Sequence, residues 1–265
     1  MKNEPSIHEL FDLSGRVALI TGASGHLGGS MANALAEAGA RVVVGSRHAA
    51  KARRVAASLR GKEIGRHVGI ALDHMDGKSV EKGFDGAVKL AGKIDVLICN
   101  GHEPLAADWS SVTARQFTRQ LQNATGYFLL ARKMRDYASR HKINASIVLL
   151  GSMYGSVGSY PDAYAGLEAV NPVAYQTLKG GIVQMVRHLA VYWAKDGVRV
   201  NCLSPGPFPS AAAPAAMVKK LKNHSPMGRM GQPHELKGAL IFFASDASNY
   251  VTGQNLLIDG GWTAW

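Results

Sequence analysis

Cysteine is scarce in this sequence: of 265 residues only Cys99 and Cys202 carry a thiol. Each lies in an apolar run of strand length, so neither a dense disulfide framework nor a cysteine cage for a metal can form, and both are expected as reduced core thiols. No metal site is expected. Long hydrophobic stretches are missing too. The longest purely apolar runs, such as Gly238 to Ala244, fall far short of a bilayer span, so no membrane helix is expected. The 30 Gly and 10 Pro follow no short repeat, which excludes a collagen-like chain. Met1 to Glu9 mix charges with Pro5 and His8 and have no apolar block behind them, so no secretory signal is read and a cytoplasmic location is expected.

What is present is 46% hydrophobic and 18% charged, enough apolar material for a substantial core and too much for a disordered chain. The balance of 30 basic to 19 acidic residues gives a formal charge of +11. The basic residues are spread over helical segments (Arg47 to Arg54, Arg60 to Arg66, Arg132 to Lys142) without a recognisable nucleic-acid motif. A polyanionic cofactor or an anionic small molecule is therefore the expected partner, and nucleic acid is not.

Apolar runs of strand length recur at Val17 to Thr21, Arg41 to Gly45, Val68 to Leu72, Asp95 to Cys99, Ser146 to Leu150, Val198 to Leu203 and Leu256 to Asp259, separated by helical periods. Continuous apolar strands joined by crossovers predict an α/β fold, a doubly wound, Rossmann-like parallel sheet of about seven strands with helices on both faces. No linker divides the chain, so residues 1–265 are read as a single domain. Gly155 to Pro172 and Pro205 to Gly231 break the rhythm and are expected as loops or mobile flaps.

Three motifs carry chemistry. After the first strand comes TGASGHLG, Thr21 to Gly28, then the helical run Gly29 to Ala38. A strand, a glycine turn and a helix N-terminus together offer backbone N–H groups and a positive dipole end to a pyrophosphate. Tyr175 and Lys179 form Y-x-x-x-K inside a helix predicted from about Ala174 to Ala194, so they share a face one turn apart. An ammonium beside a phenol favours the phenolate, and on that ground the Tyr175 pKa is expected to fall from about 10 toward neutrality, suiting a general acid or base. The end of the second strand, RVVVGSRH, has Ser46 followed by Arg47 and no acid.

With TGASGHLG, CNG (Cys99 to Gly101), Asn123 in LQNATG, Ser152 in LLGSMYG, Tyr175 with Lys179, and LSPGP (Leu203 to Pro207) in this order, the chain resembles the short-chain dehydrogenase/reductase family over essentially its whole length. The segments GRMGQPHEL and LLIDGGWTAW look most like members acting on sugars or sugar acids. The resemblance implies a catalytic set of Asn123, Ser152, Tyr175 and Lys179. Tyr175 would exchange a proton with the substrate oxygen and Ser152 would hydrogen-bond that oxygen. Lys179 would bind the nicotinamide ribose and tune Tyr175, and Asn123 would hold a water linking Lys179 to solvent. Thr21, Gly22, Ser24, His26, Leu27, Gly28, Ser46, Arg47, Asp73, Asn100, Gly101, Pro205 and Gly206, with Tyr175 and Lys179, would bind the cofactor, Asp73 meeting the adenine. Ser46 in place of the usual acid, and Arg47 after it, imply NADP(H) in preference to NAD(H).

The sequence departs from the family pattern at His26, where relatives usually have a central glycine, and at CNGH, Cys99 to His102, where they usually read NNAG. A further departure is an apparent insertion near residues 156–171, which makes Tyr154, Tyr160 and Tyr164 candidate substrate walls. A substrate lid is expected near residues 205–231. Its cations Lys219, Lys220, Lys222 and Arg229 suggest an anionic sugar, sugar acid or phosphorylated sugar. The expected function is NADP-dependent interconversion of a secondary alcohol and a ketone. A 3-oxoacyl-carrier-protein reductase and a non-catalytic nucleotide-binding regulatory protein are the alternatives. A homotetramer is implied, with interfaces from helices around Thr113 to Lys133 and Ala174 to Ala194 and from the C-terminal tail, where Trp262 and Trp265 are expected to meet a neighbouring subunit.

Overall fold

The computed structural model describes residues 4–61, 63, 66–105, 107–164 and 172–265. Residues 165–171 of the expected insertion lie outside them. Seven strands form one parallel sheet in the order β3-β2-β1-β4-β5-β6-β7. They are β1 (Val17–Thr21), β2 (Arg41–Ser46), β3 (Val68–Ala71), β4 (Val96–Cys99), β5 (Ala145–Leu150), β6 (Val198–Pro205) and β7 (Asn255–Ile258). This is the doubly wound Rossmann-like fold expected. The chain runs outward from β1 to β3, then returns to place β4 on the other side of β1, so the carboxyl ends of β1 and β4 open a crevice where the winding reverses.

The strands read as unbroken apolar runs because both faces are covered. Along them, alternate residues enter different cores. Val17, Leu19, Val43, Leu97, Ile147 and Val200 pack with α4 (Gly77–Ala91), α5 (Ala114–His141) and α7 (Val173–Trp193). Ala18, Ile20, Val42, Ile98, Val148 and Leu203 pack on the opposite face with α2 (His26–Glu37), α3 (Ala49–Ser58) and α9 (Lys237–Ala244). A short α1 (Ile7–Phe11) precedes β1.

Several boundaries differ from the sequence reading. Helix α2 starts at His26, three residues before Gly29, because Gly25 already serves as its N-cap. The segment 205–231 is not merely a loop: after β6 ends at Pro205 it forms α8 (Ala215–Asn223). Gly155 to Pro172 likewise holds a 3₁₀ turn at Met153–Gly155 and the short α6 (Pro161–Tyr164). These pieces share a third cluster of Met153, Tyr154, Ala163, Leu221, Met230 and Trp262. Trp262 is therefore not an interface residue reaching outward. It is 1% exposed, with the Tyr160 and His224 rings against it, while Trp265 stays 72% exposed.

Candidate active site

The crevice is built from the glycine turn. Gly22 takes φ +70°, a conformation open to glycine, and a Cβ there would stand 2.7 Å from Asn100 Nδ2. Thr21 Oγ1 accepts hydrogen bonds from the N–H groups of Asn100 (3.1 Å) and Gly101 (3.0 Å), and Asn100 Nδ2 donates to the carbonyls of Thr21 (3.2 Å) and Gly22 (3.1 Å). These bonds tie the end of β4 to the end of β1. Helix α2 has no side-chain cap, which leaves its first-turn N–H groups for an external acceptor. His26 opens that helix with its side chain exposed, so the departure from glycine does not fill the turn. At Gly28 a Cβ would overlap the Gly22 carbonyl oxygen, so the helix and the turn approach as closely as they do only because no side chain intervenes.

A cleft of about 380 Å³ results. Thr21, Gly22, Ser24, His26, Leu27, Gly28, Ser46, Arg47, Asn100 and Gly101 line it. Pro205 and Gly206 do not; Gly206 lines a second cavity described next. Asp73 does not line the cleft either. Its carboxylate accepts from the Met75 N–H at 2.9 Å, and its neighbour His74 faces the cleft instead. A turn of small residues and an uncapped helix N-terminus fit a dinucleotide pyrophosphate.

The second cavity, also about 380 Å³, has Ser152 and Tyr175 on its wall with Tyr154 and Tyr164. Pro104, Leu105, Met153, Pro172, Phe208, Pro209, Met217 and Leu221 make the rest largely carbon. His102 lines both cavities. Ser152 follows β5, accepts from the Tyr154 N–H at 3.2 Å, and shares the cavity wall with the Tyr175 phenol. Tyr154 and Tyr164 hydroxyls meet at 2.7 Å. Tyr160, the third expected wall, instead stacks on His224 with ring centroids 4.1 Å apart.

Lys179 lies one helical turn after Tyr175, its Nζ donating to the Leu150 carbonyl at 2.7 Å and standing 5.5 Å from the Tyr175 ring centroid. The expected drop in the Tyr175 pKa does not occur. Burial pushes it up and outweighs the opposing hydrogen bond from Ser152. Burial also pushes Lys179 down to about 8. The chain thus holds Tyr175 as a protonated phenol, in the acid form that carbonyl reduction uses.

The Asn123 amide is engaged on every side. Oδ1 accepts from the Glu103 N–H (2.8 Å) and from His74 Nε2 (2.9 Å), while Nδ2 donates to the carbonyls of Glu103 (3.2 Å) and Gln120 (2.9 Å). Through these bonds Asn123 clamps the loop carrying His102 and Glu103. Gly126 on the same helix is what allows this, since a Cβ there would strike the His74 carbonyl. His102 Nε2 lies 2.8 Å from the Gln120 amide nitrogen, and its pKa is driven down to about 3 by burial, then by the Lys179 and His74 charges. It is a neutral wall. His74, Glu103, Arg119 and Gln120 escaped the sequence reading, although Gln120 and Asn123, three apart on one helix, are the spacing that would have exposed a shared face.

The anionic substrate expected from the lid finds no cation here. Arg229 is forked onto Glu235 at 2.6 and 2.8 Å, and among the described residues no Lys or Arg lines the second cavity. The undescribed segment AGLEAVN (165–171) contains neither. Among the described residues, no three His, Cys, Asp or Glu side chains group to hold a metal, and no helix is long and apolar enough to cross a membrane.

A family model described as enoyl-(acyl carrier protein) reductase matches residues 22–263. The chain is 32% identical to the NADP-dependent mannitol dehydrogenase of Alternaria alternata, covering 97% of this chain and 95% of that one. It is 34% identical to cis-4-hydroxycyclohexanecarboxylate dehydrogenase of Sinomonas cyclohexanicum, covering 94% and 97%. The crystal structure of a gluconate 5-dehydrogenase from Burkholderia cenocepacia, in complex with NADP and tartrate, superposes with a TM-score of 0.88 at 28% identity over 98% of this chain and all of that one.

Proposed function

The chain belongs to the short-chain dehydrogenase/reductase family of oxidoreductases, and from that premise we propose that it interconverts an uncharged secondary alcohol and its ketone with NADP(H). When bound, the nicotinamide exchanges a hydride with the substrate carbon. Tyr175 gives its phenolic proton to the carbonyl oxygen, and Ser152 donates a hydrogen bond to the same oxygen as negative charge gathers on it. Lys179, charged below its pKa of about 8, lowers the cost of the phenolate left behind. The carbon walls offer an apolar bed to the substrate carbons, and neutral His102 stands between the two cavities without adding charge.

One observation carries this reading: Ser152 and Tyr175 share the wall of a cavity whose described lining residues include no charged side chain, and that cavity meets the nucleotide cleft at His102. An assembled pair disfavours a non-catalytic nucleotide binder. An anion entering this cavity would lose its hydration and meet no cation in return. The preference for NADP(H) is supported by Ser46 and Arg47 on the cleft wall, where an arginine fork fits a 2′-phosphate and the end of β2 carries a serine in place of an acid. A homotetramer belongs to the same reading, and Val191 (77% exposed) and Tyr192 (62% exposed) on α7 offer it an apolar face.

A substrate panel with NADPH or NADP tests the proposal, using alicyclic hydroxy compounds, polyols, aldonates, sugar phosphates and 3-oxoacyl thioesters. The neutral compounds should show kcat/KM at least about tenfold above their anionic counterparts. A sugar phosphate, aldonate or acyl thioester turned over best would overturn the uncharged-substrate assignment.

A further inference from the structure

Arg47 follows β2 and Glu103 follows β4, and in the sheet order β1 lies between those strands. Yet the two side chains meet: Arg47 Nη1 is 3.9 Å from Glu103 Oε2. Both line the nucleotide cleft, so the contact spans it above the glycine turn. Glu103 is held in place from the far side by Arg119 on α5, whose Nε and Nη2 donate to its two carboxylate oxygens at 2.6 and 2.8 Å. That fork holds its carboxyl below the usual carboxylate range, so it carries its charge at neutral pH. The Glu103 backbone is clamped separately by Asn123. The cleft thus contains a fixed carboxylate that engages the very arginine assigned to the cofactor phosphate.

We infer that Glu103 sets the strength of cofactor discrimination by competing with the 2′-phosphate for Arg47. This rests on the NADP(H) reading given above. A cofactor with a 2′-phosphate has to draw Arg47 off Glu103 and also feels the carboxylate's repulsion. A cofactor without the phosphate leaves the contact in place and meets neither cost. Glu103 therefore moderates a preference that Arg47 creates. The contact is long and Arg47 is exposed, so its influence is of the modest size of surface ion pairs.

The test is equilibrium binding, read from NADPH and NADH fluorescence, in wild type, Glu103→Gln, Arg47→Ala and the double variant. Glu103→Gln keeps the side-chain shape and leaves the Asn123 clamp on the backbone intact, and a melting curve on each protein checks the fold. NADPH should bind about two- to fivefold tighter to Glu103→Gln, with NADH changed by much less. The gain should vanish in the Arg47→Ala background and shrink at high salt. Equal gains for both cofactors, no gain, or a gain that survives Arg47→Ala overturns the inference. If Arg47→Ala alone weakens both cofactors equally, the NADP(H) reading falls and this inference with it. A selective loss in Arg47→Ala without a gain in Glu103→Gln removes only the role of Glu103.

Discussion

Replacing Tyr175 by Phe should lower turnover by about 10²- to 10⁴-fold while the protein still folds and binds NADPH. The ring keeps its place at the start of α7, against His102 at 5.4 Å between centroids, so packing changes little. What disappears is the proton that balances charge on the substrate oxygen. No other phenol replaces it. Tyr154 and Tyr164 line the same cavity, but their hydroxyls are bonded to each other. Single-turnover hydride transfer and NADPH binding, measured on both proteins, check this. A variant with near-normal rates would remove Tyr175 from the mechanism.

The second large effect is expected at Gly28. An alanine Cβ there would overlap the Gly22 carbonyl oxygen and stand 2.6 Å from Asn100 Nδ2. The obstacle is backbone, which cannot rotate aside, so α2 must move away from the turn. Overpacking of this kind costs about 1–3 kcal/mol, and for a domain of this size the melting temperature should fall by about 2–12 °C. The same shift pulls the first-turn N–H groups off the pyrophosphate position, so NADPH affinity should fall more than tenfold. Calorimetry and fluorescence titration of Gly28→Ala read both. Unchanged melting with unchanged affinity would mean that the glycine turn does not cradle the cofactor.

Local sequence signals carried the fold well, because a parallel sheet buried on both faces writes each strand as an apolar run. The seven strands lie where the runs do, with ends moved by a residue or two. The glycine turn and the shared face of Tyr175 and Lys179 were legible because glycine spacing and a one-turn helical offset are short-range facts. What the sequence did not carry depends on surroundings. The Tyr175 pKa follows burial, which the Tyr–Lys spacing does not encode. The anionic substrate was an expectation from the overall charge and the cations of residues 205–231, and neither says which side chains line the cavity, whose described residues include no Lys or Arg. Trp262 near the chain end suggested an interface, but it packs in a cluster with Ala163 of α6 and Leu221 of α8. Glu103 and Arg47 lie far apart in sequence, and only the return of the chain to β4 brings them together.

Isotope transfer bears most directly on the claim that this protein moves a hydride between a nicotinamide and a carbonyl carbon. NADPH dideuterated at the nicotinamide C4 is incubated with the wild type and the best neutral ketone of the panel, and the product is examined by mass spectrometry and NMR. One deuterium should appear on the new carbinol carbon for each NADPH consumed, with a transfer rate that collapses in Tyr175→Phe. Oxidation of NADPH that leaves the carbinol carbon unlabelled, or labelling at the same rate without the Tyr175 hydroxyl, would contradict it.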